Sequence, residues 1–583
     1  MPSLKLFIFL HLAIFSTLAP AKHKAYPRGS LDSSLSSHIE ARSSPSGKSF
    51  KYDVVIYGTS PGAITAAIQV KRMGKTVAIV TPDEHLGGLT SSGLGWTDSK
   101  NGKGQIGGIA QEFYIKVFQY YEKDTAWTSE KRDEYSQAVS SAQPGPAIDK
   151  TNSMQYTFEP KVAESIFTTW VKDGKIPVHS GESLDRSESG VQKSGPKIQS
   201  FRTESGKVFS GLQFIDAGYE GDLMKAAGIS CTVGRESSST YNEDLNGMRI
   251  KMDDSYDKVD PYKTKGKSDS GLLSGVQDPI PSPLPKGFTG SKDPLRVMSF
   301  NYRLCLTQSK DNKVPLTKPD DYDESEFELL LRVLEAGHEA SFTHQGMPNH
   351  KTDSNSQGLV SFDLVGGNLD HKTPYSEASY DERKKMIAQH KKYQQGVLWT
   401  LANHPRVPED QRKKNAEWGL AKDEFTSNGN WPYAIYIREA RRMIGEYVFK
   451  QSDVENRKVP SGDIAAGLGA YSMDNHVIRR IVYDSKIYDE GYFYHKTSST
   501  PYPIPYKSLV PKKNDATNFL NPVTISATHV GFSSMRMEPT YMILGQTAGT
   551  AAVMAIEQKV AVQDIDKDKL KQRLLKDKQK LSA

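Results

Sequence analysis

Residues 52–58 read Tyr-Asp-Val-Val-Ile-Tyr-Gly, an apolar strand that ends on a glycine. Thr59-Ser60-Pro61-Gly62-Ala63 follows, then Ala66, Ala67 and Val70 at helical spacing, and Lys75–Val80 forms a second apolar strand. Strand, tight turn, helix and strand within about thirty residues close as a βαβ unit with parallel strands. Such a unit needs a layered α/β fold, because helices must cover a sheet whose strands are apolar on both faces. Against the pattern G-x-G-x-x-G, Gly58 holds the first position, Ser60 the second and Ala63 the third. All three are small enough for backbone to approach a pyrophosphate, and Pro61 and Gly62 open a helix whose N–H groups and dipole favour an anion. Gly58, Ser60, Pro61, Gly62 and Ala63 are therefore candidate dinucleotide-binding residues. The acid that usually ends the second strand is replaced by Thr81, and Asp83 is close enough in sequence to reach back. A neutral hydrogen bond in place of a charge-assisted one lowers affinity by about tenfold.

His85-Leu-Gly87-Gly88-Leu-Thr90-Ser91-Ser-Gly93-Leu-Gly95 comes next. Here the chain resembles the FAD-dependent oxidoreductases of the two-domain glutathione-reductase type. More narrowly it is similar to the family often labelled FAD-dependent oxidoreductase or xanthan-lyase-like. The resemblance runs through Ile106–Tyr114, Phe158–Glu164, Gly211–Gly228, Val233–Ser237, Asn301–Thr307, Trp418–Phe425, Arg438–Tyr447, Tyr502–Pro511 and Ser526–Ala552. It implies that Gly87 and Gly88 approach FAD, that Thr90 or Ser91 hydrogen-bonds it, and that His85 lies near a point of covalent flavin attachment in some flavoproteins. It places Asp216 and Ala217 at a strand end where relatives carry Ala-Thr-Gly; Gly218 and Tyr219 stand in the last two places here. Finally it implies that the helix opened by Pro539 points its first amides, near Thr540 and Tyr541, at the flavin pyrimidine ring. Negative charge forming there on reduction is stabilised by such a helix start.

A flavin accepts the hydride itself, so the protein must supply binding, orientation and a base. Histidine titrates nearest neutrality. Among fourteen, His476 in Tyr-Ser-Met-Asp-Asn-His and His529 in Ser-Ala-Thr-His lie in or beside the matching blocks. His529 is the preferred base, ten residues before Pro539, with His476 second. Arg536 and Glu538 flank the helix start, as substrate ligands or as an ion pair. The Arg438, Glu439, Arg441, Arg442 cluster reads as a solvated helix face or as an anchor for an anion. No C-x-x-C, H-E-x-x-H, G-x-S-x-G or P-loop pattern occurs, and no metal site is expected.

Lys5, the apolar run Leu6–Leu18 and Ala19-Pro20-Ala21 give residues 1–21 the form of a secretory signal cleaved after Ala21, too short to span a membrane. Residues 22–50 hold nine Ser in twenty-nine and read as a linker or pro-segment. The two ends carry the positive charge: of a net +6, residues 51–560 hold −1, which disfavours nucleic-acid binding. Cys231 and Cys305 allow at most one disulfide. The expected architecture is a discontinuous Rossmann-like FAD-binding domain, 51–235 plus 505–560, with an inserted α+β substrate domain, 236–504. A charged helix, 561–583, follows and reads as solvated. The expected function is a secreted oxidoreductase that transfers hydride to FAD from an alcohol or C–H bond of a small or carbohydrate-like substrate. A polysaccharide lyase with a structural FAD and a non-catalytic binding protein are the alternatives.

Overall fold

A computed structural model describes residues 47–97, 104–138, 147–338, 341–366, 373–497 and 500–583. The expected signal and most of the Ser-rich segment lie outside the described residues. The expected βαβ unit forms: β1 (Ser49–Tyr57), α1 (Pro61–Arg72) and β2 (Val77–Val80), with Tyr57 opposite Val80 in parallel register. Strands β3 (Val178–His179), β4 (Val191–Ser194), β5 (Lys197–Arg202) and β6 (Val208–Asp216) extend the sheet in the order β3-β2-β1-β6-β5-β4. A two-residue strand, Phe519–Leu520, adds parallel to β6. The β3, β2, β1 and β6 contacts are parallel, whereas β4 and β5 form an antiparallel hairpin at the edge. Val54 and Ile56 of β1 join one buried cluster, Val55 and Tyr57 another, as the two-residue period of a strand covered on both faces requires.

A second sheet is antiparallel: β7 (Leu304–Thr307), β8 (Lys313–Pro315), β9 (Ser341–Met347), β10 (Lys351–Gln357) and β11 (Gly419–Ala421), in the order β8-β11-β7-β10-β9. A separate apolar core drawn from residues 256–487 packs around it with α2 (Tyr380–Asn403), whose start carries a capping box between Ser379 and Glu382.

Near the C-terminus come α3 (His529–Met535), α4 (Glu538–Gln558) and α5 (Lys567–Lys576). The stripe of small residues on α4 lets it lie directly on α1. A β-carbon on Gly545 would stand 2.2 Å from the Gly62 carbonyl oxygen, and one on Gly549 would stand 2.6 Å from that of Ala66. Thr65 Oγ1 donates to the Met542 carbonyl at 2.8 Å across this contact. The C-terminal helix departs from the expectation of a solvated element. Its Leu570 and Leu574 are fully buried in the core, because its apolar residues fall four apart on one face. The tail after it is tied in as well, with Gln579 donating to Ala466 O and Ile543 O. No helix among the described residues is long and apolar enough to cross a membrane. Cys231 and Cys305 are both free thiols.

Candidate active site

Three chain segments converge beyond the carboxyl end of β1. The first is the turn Gly58–Ser60. Gly58 has φ +106°, and a β-carbon there would meet the Ala217 and Gly218 backbone within 2.4–2.7 Å, so only glycine lets β6 pass so close. Ser60 caps α1, its Oγ accepting the Ala63 N–H at 3.3 Å, and Pro61 fills the first helical position. Thus Ser60 does more than keep the turn small: its hydroxyl is engaged in holding the helix start. A β-carbon on Gly62 would reach the Tyr541 carbonyl oxygen at 2.8 Å, which brings the α1 and α4 starts together.

The second segment is the loop 85–92. Gly87 and Gly88 have φ +102° and +53°, and the Gly87 N–H donates to Thr59 O at 3.0 Å, fixing the pair against the first turn. Ser91 Oγ donates back to Leu86 O at 2.5 Å, so this hydroxyl holds the loop shape. His85 stacks on Tyr433 at 3.3 Å between ring centres while its Nδ1 meets Glu164 at 2.6 Å.

The third segment is the start of α4. Glu538, in its first turn, is buried and accepts the Thr90 N–H at 3.1 Å, the Thr90 hydroxyl at 2.6 Å and the Tyr219 hydroxyl at 3.0 Å. Glu538 is therefore neither half of an ion pair with Arg536 nor turned outward. Arg536 donates instead to Tyr436 Oη at 2.7 Å and to the Asp474 carbonyl at 3.0 Å. Tyr219 also accepts the Leu89 N–H at 3.0 Å, so loop, strand end and helix meet at one phenol.

At the end of β2, Thr81 is buried and Asp83 accepts from the Thr59 hydroxyl at 2.7 Å and the Thr81 hydroxyl at 3.3 Å. A carboxylate thus stands two residues past position 81, beside the turn. Asp216, at the end of β6, is fully buried; burial pushes its carboxyl up to about 7, and it accepts the Met224 N–H at 2.8 Å and the Gly218 N–H at 3.2 Å. The Ala217 N–H donates to Tyr57 O at 2.8 Å. Asp216 thus closes the turn after β6, and Ala217 extends the pairing of β6 with β1.

These residues fit a flavin dinucleotide. A glycine turn runs into a capped helix, two left-handed glycines stand against that turn, and a carboxylate lies at the second strand's end. Thr540 Oγ1, in the first turn of α4, is buried with no hydrogen-bond partner among the described residues, an atom that awaits a donor or acceptor.

The two histidines are brought to different surroundings. His529 has no exposed side chain; its Nδ1 meets both oxygens of Glu439 at 2.8 and 3.0 Å, and Nε2 has no partner among the described residues. Glu439 is held in turn by Arg442 at 3.0 Å, so the Arg438–Arg442 cluster is buried and is neither a helix nor a solvated face. Its charges are neutralised one by one, which is how four ionic side chains tolerate burial.

His476 is partly exposed, and its Nδ1 meets Asp363 Oδ2 at 2.7 Å. Asp363 also accepts from Arg438 at 2.9 Å and from the Ser356 hydroxyl at 2.5 Å. Burial raises the Asp363 carboxyl, but Arg438 and His476 overturn this and hold it well below the usual range, fully ionised. Burial, then Arg438, lower the His476 imidazole below its ordinary value. Together His476 and Asp363 line a cavity of about 450 Å³ with Asn355, Ser356, Asp474 and Arg480. Asp474 connects this cavity to the α4 start through Arg536. Asp363, Asn355 and Ser356 carry no sequence signal of their own; only the pairing of β10 with distant segments assembles them.

Three carboxylates, Glu159, Asp423 and Glu424, lie close enough together to hold a metal ion. The Lys351 ammonium already sits among them, at 2.6, 2.7 and 2.8 Å, and supplies their counter-charge.

No curated protein matches the chain. Among solved structures, L-amino acid deaminase from Proteus vulgaris is 14% identical with a TM-score of 0.22, over 32% of this chain and 53% of that one. OxyS anhydrotetracycline hydroxylase from Streptomyces rimosus is 12% identical with a TM-score of 0.20, over 32% and 36%. Bacillithiol disulfide reductase Bdr (YpdA) from Staphylococcus aureus is 17% identical with a TM-score of 0.16, over 29% and 38%. The match thus spans about half or less of each neighbour's length. The profile of the family described as FAD dependent oxidoreductase, by contrast, matches residues 53–574, nearly all of the described fold, and the chain belongs to that family.

Proposed function

We propose that this FAD-dependent oxidoreductase oxidises an alcohol, or a similar C–H bond, of a small or carbohydrate-like substrate, with His476 as the base, and that residues 1–21 send it into the secretory route. When bound, FAD supplies the hydride acceptor. The turn at Gly58, the Gly87–Gly88 pair, Asp83 and the α4 start would hold it.

The observation that carries this reading is the His476–Asp363 pair on the wall of the cavity. An ionised carboxylate on Nδ1 fixes the tautomer with its proton there, which leaves the Nε2 lone pair to accept. The lowered imidazole pKa keeps that nitrogen unprotonated near neutral pH. Nε2 would accept the proton of a substrate hydroxyl hydrogen-bonded to it, the carbinol C–H on the same carbon being the bond that FAD would oxidise. Asn355, Ser356 and Asp474 offer the mixed donors and acceptors that orient hydroxyl groups, and a cavity of about 450 Å³ suits a small polyol or sugar. His529, enclosed on Glu439, serves in this reading as a positioning residue. Oxygen or another acceptor would take up the electrons.

The test is anaerobic mixing of the purified yellow protein with a panel of alcohols, polyols and sugars. Bleaching of the visible flavin band by a hydroxyl substrate, slowed in His476→Asn, supports the proposal. Bleaching by amines or thiols alone, or bleaching indifferent to His476→Asn, overturns it.

A further inference from the structure

Most buried carboxylates in this protein hold a cationic partner. Asp222 has Arg383 and Arg441, Asp353 has Arg303, Asp363 has Arg438, Glu490 has Arg235 and Arg479, and Glu424 has Lys351. Glu538 breaks the pattern, as Asp216 does with its two backbone donors. Among the described residues Glu538 has no ion-pair partner; its three donors, two from Thr90 and one from Tyr219, are neutral. It nevertheless stands where three walls of the dinucleotide cradle meet. Its Thr90 partner lies two residues past Gly88. Its Tyr219 partner is so close to Gly88 that a β-carbon there would stand 2.3 Å from the hydroxyl. Gly87 in turn is bonded to the turn at Thr59.

We propose that Glu538 is a redox-linked proton acceptor: its carboxylate takes one proton from solvent when the bound cofactor is reduced, and releases it on reoxidation. The inference rests on the reading that FAD occupies this cradle. Electrons and protons balance separately from substrate oxidation. The hydride carries two electrons and its own proton to the cofactor, the substrate hydroxyl proton goes to His476, and Glu538 converts from carboxylate to carboxylic acid at the expense of solvent. The driving force is Coulombic. A buried carboxylate with neutral donors alone has nothing to offset an added negative charge nearby, and like charges disfavour the ionised form.

Among the groups bonded to Thr90 and Tyr219, Glu538 is the carboxyl that responds, whereas Asp216, the other buried carboxyl of the cradle with neutral donors, is bonded to Met224 and Gly218 instead. Residues 86–91 bring no titratable side chain. Tyr219, from the turn after β6, and Tyr541, from α4, are phenols that burial pushes well above their ordinary value, so they stay neutral. Arg536, from the segment before α4, is turned to Tyr436 and Asp474. Burial raises the Glu538 carboxyl to about 7 even without an added charge, so a small further push crosses neutrality.

The experiment is spectroelectrochemical titration of the flavin in the holoprotein across pH 6–9. In wild type the slope of midpoint potential against pH should correspond, above about pH 7, to about one proton more per two electrons than in Glu538→Gln, whose side chain keeps an acceptor oxygen but cannot titrate. Parallel slopes in the two proteins overturn the proposal. If Glu538→Gln loses its flavin, Tyr219→Phe decides. Removing one donor to the carboxylate while keeping both from Thr90 should move the extra-proton window to higher pH, and an unmoved window overturns the proposal. A wild-type protein that binds no flavin would instead remove the reading on which this rests, an outcome distinguishable by colour alone.

Discussion

The dinucleotide cradle and the His476 cavity are built on opposite plans. In the cradle most functional groups are already engaged with protein, Ser60 with Ala63, Ser91 with Leu86, and Thr90 and Tyr219 with Glu538, and Thr540 Oγ1 is the exception left for a ligand. In the cavity one side of each group is held and the other faces open space, as with His476 on Asp363. A binding site for a large resident cofactor needs rigidity, supplied by saturated hydrogen bonding. A site for exchanging substrate needs one nitrogen fixed in orientation yet accessible. Substitutions in the cradle should therefore register as lost stability or cofactor, and those in the cavity as lost turnover.

The largest contrast is between the two histidines. His476→Asn should lower kcat/KM by about 10²–10⁴-fold with flavin content and Tm near wild type, since general-base catalysis contributes that range. His529→Asn should lower Tm first, because it removes a partner from the buried Glu439, a loss of about 1–3 kcal/mol. Stopped-flow flavin reduction and thermal unfolding on both variants check this; the reverse pattern would return the catalytic role to His529. The pH profile sharpens the same contrast. Because the His476 pKa is lowered, the base stays unprotonated until pH falls below the ordinary imidazole value of about 6.5. The acid limb of kcat/KM should lie below that value, with activity lost as pH falls, and should vanish in His476→Asn.

These two histidines also show what was legible in the sequence and what was not. The βαβ unit was readable because its determinants are local: an alternating apolar strand, a glycine at φ +106°, and a capped helix within a dozen residues. Ranking His529 by its distance from Pro539 used the same local logic and said nothing about access. Enclosure by Glu439, or exposure on a cavity behind Asp363, is set by contacts 90 and 113 residues apart. Thr90 and Glu538 were each visible as candidates, but their contact spans 448 residues and was equally hidden. The solvated-helix reading of Arg438–Arg442 fails because spacing alone does not distinguish a wet helix face from an irregular segment whose charges are paired individually.

The second prediction probes the rigidity of the cradle. Gly545→Val places a side chain where even a β-carbon stands 2.2 Å from the Gly62 oxygen, a backbone atom of α1. The helices must separate, at a cost of about 1–3 kcal/mol or more, and the turn at Gly58–Ser60 moves with them. The expected result is a lower Tm together with weakened flavin retention after gel filtration. Gly218→Ala is the matched comparison. Its β-carbon would meet nothing nearer than 3.6 Å, so Tm and flavin should remain close to wild type. Equal loss in both variants would mean that small residues in this region answer to something other than the contact between α1 and α4.

The smallest effect tests whether the missing acid was relocated. Asp83 accepts from Thr59 at the turn and from Thr81 at the strand end, so its carboxylate has the position and charge to accept from a ribose hydroxyl. Asp83→Asn keeps size and most hydrogen bonding while removing the charge. A charge-assisted bond is worth about 1.5–3 kcal/mol against about 1 for a neutral one, so FAD affinity should fall by roughly tenfold with little change in Tm. Thr81→Asp should restore part of that loss in the Asp83→Asn background, because it returns a carboxylate to the second strand's end. Titration of the apoprotein with FAD by flavin fluorescence quenching measures both. Unchanged affinity in Asp83→Asn would show that the first turn and the α4 start hold the cofactor without a ribose carboxylate, and the difference between a saturated cradle and an open cavity would then extend to the adenosine end as well.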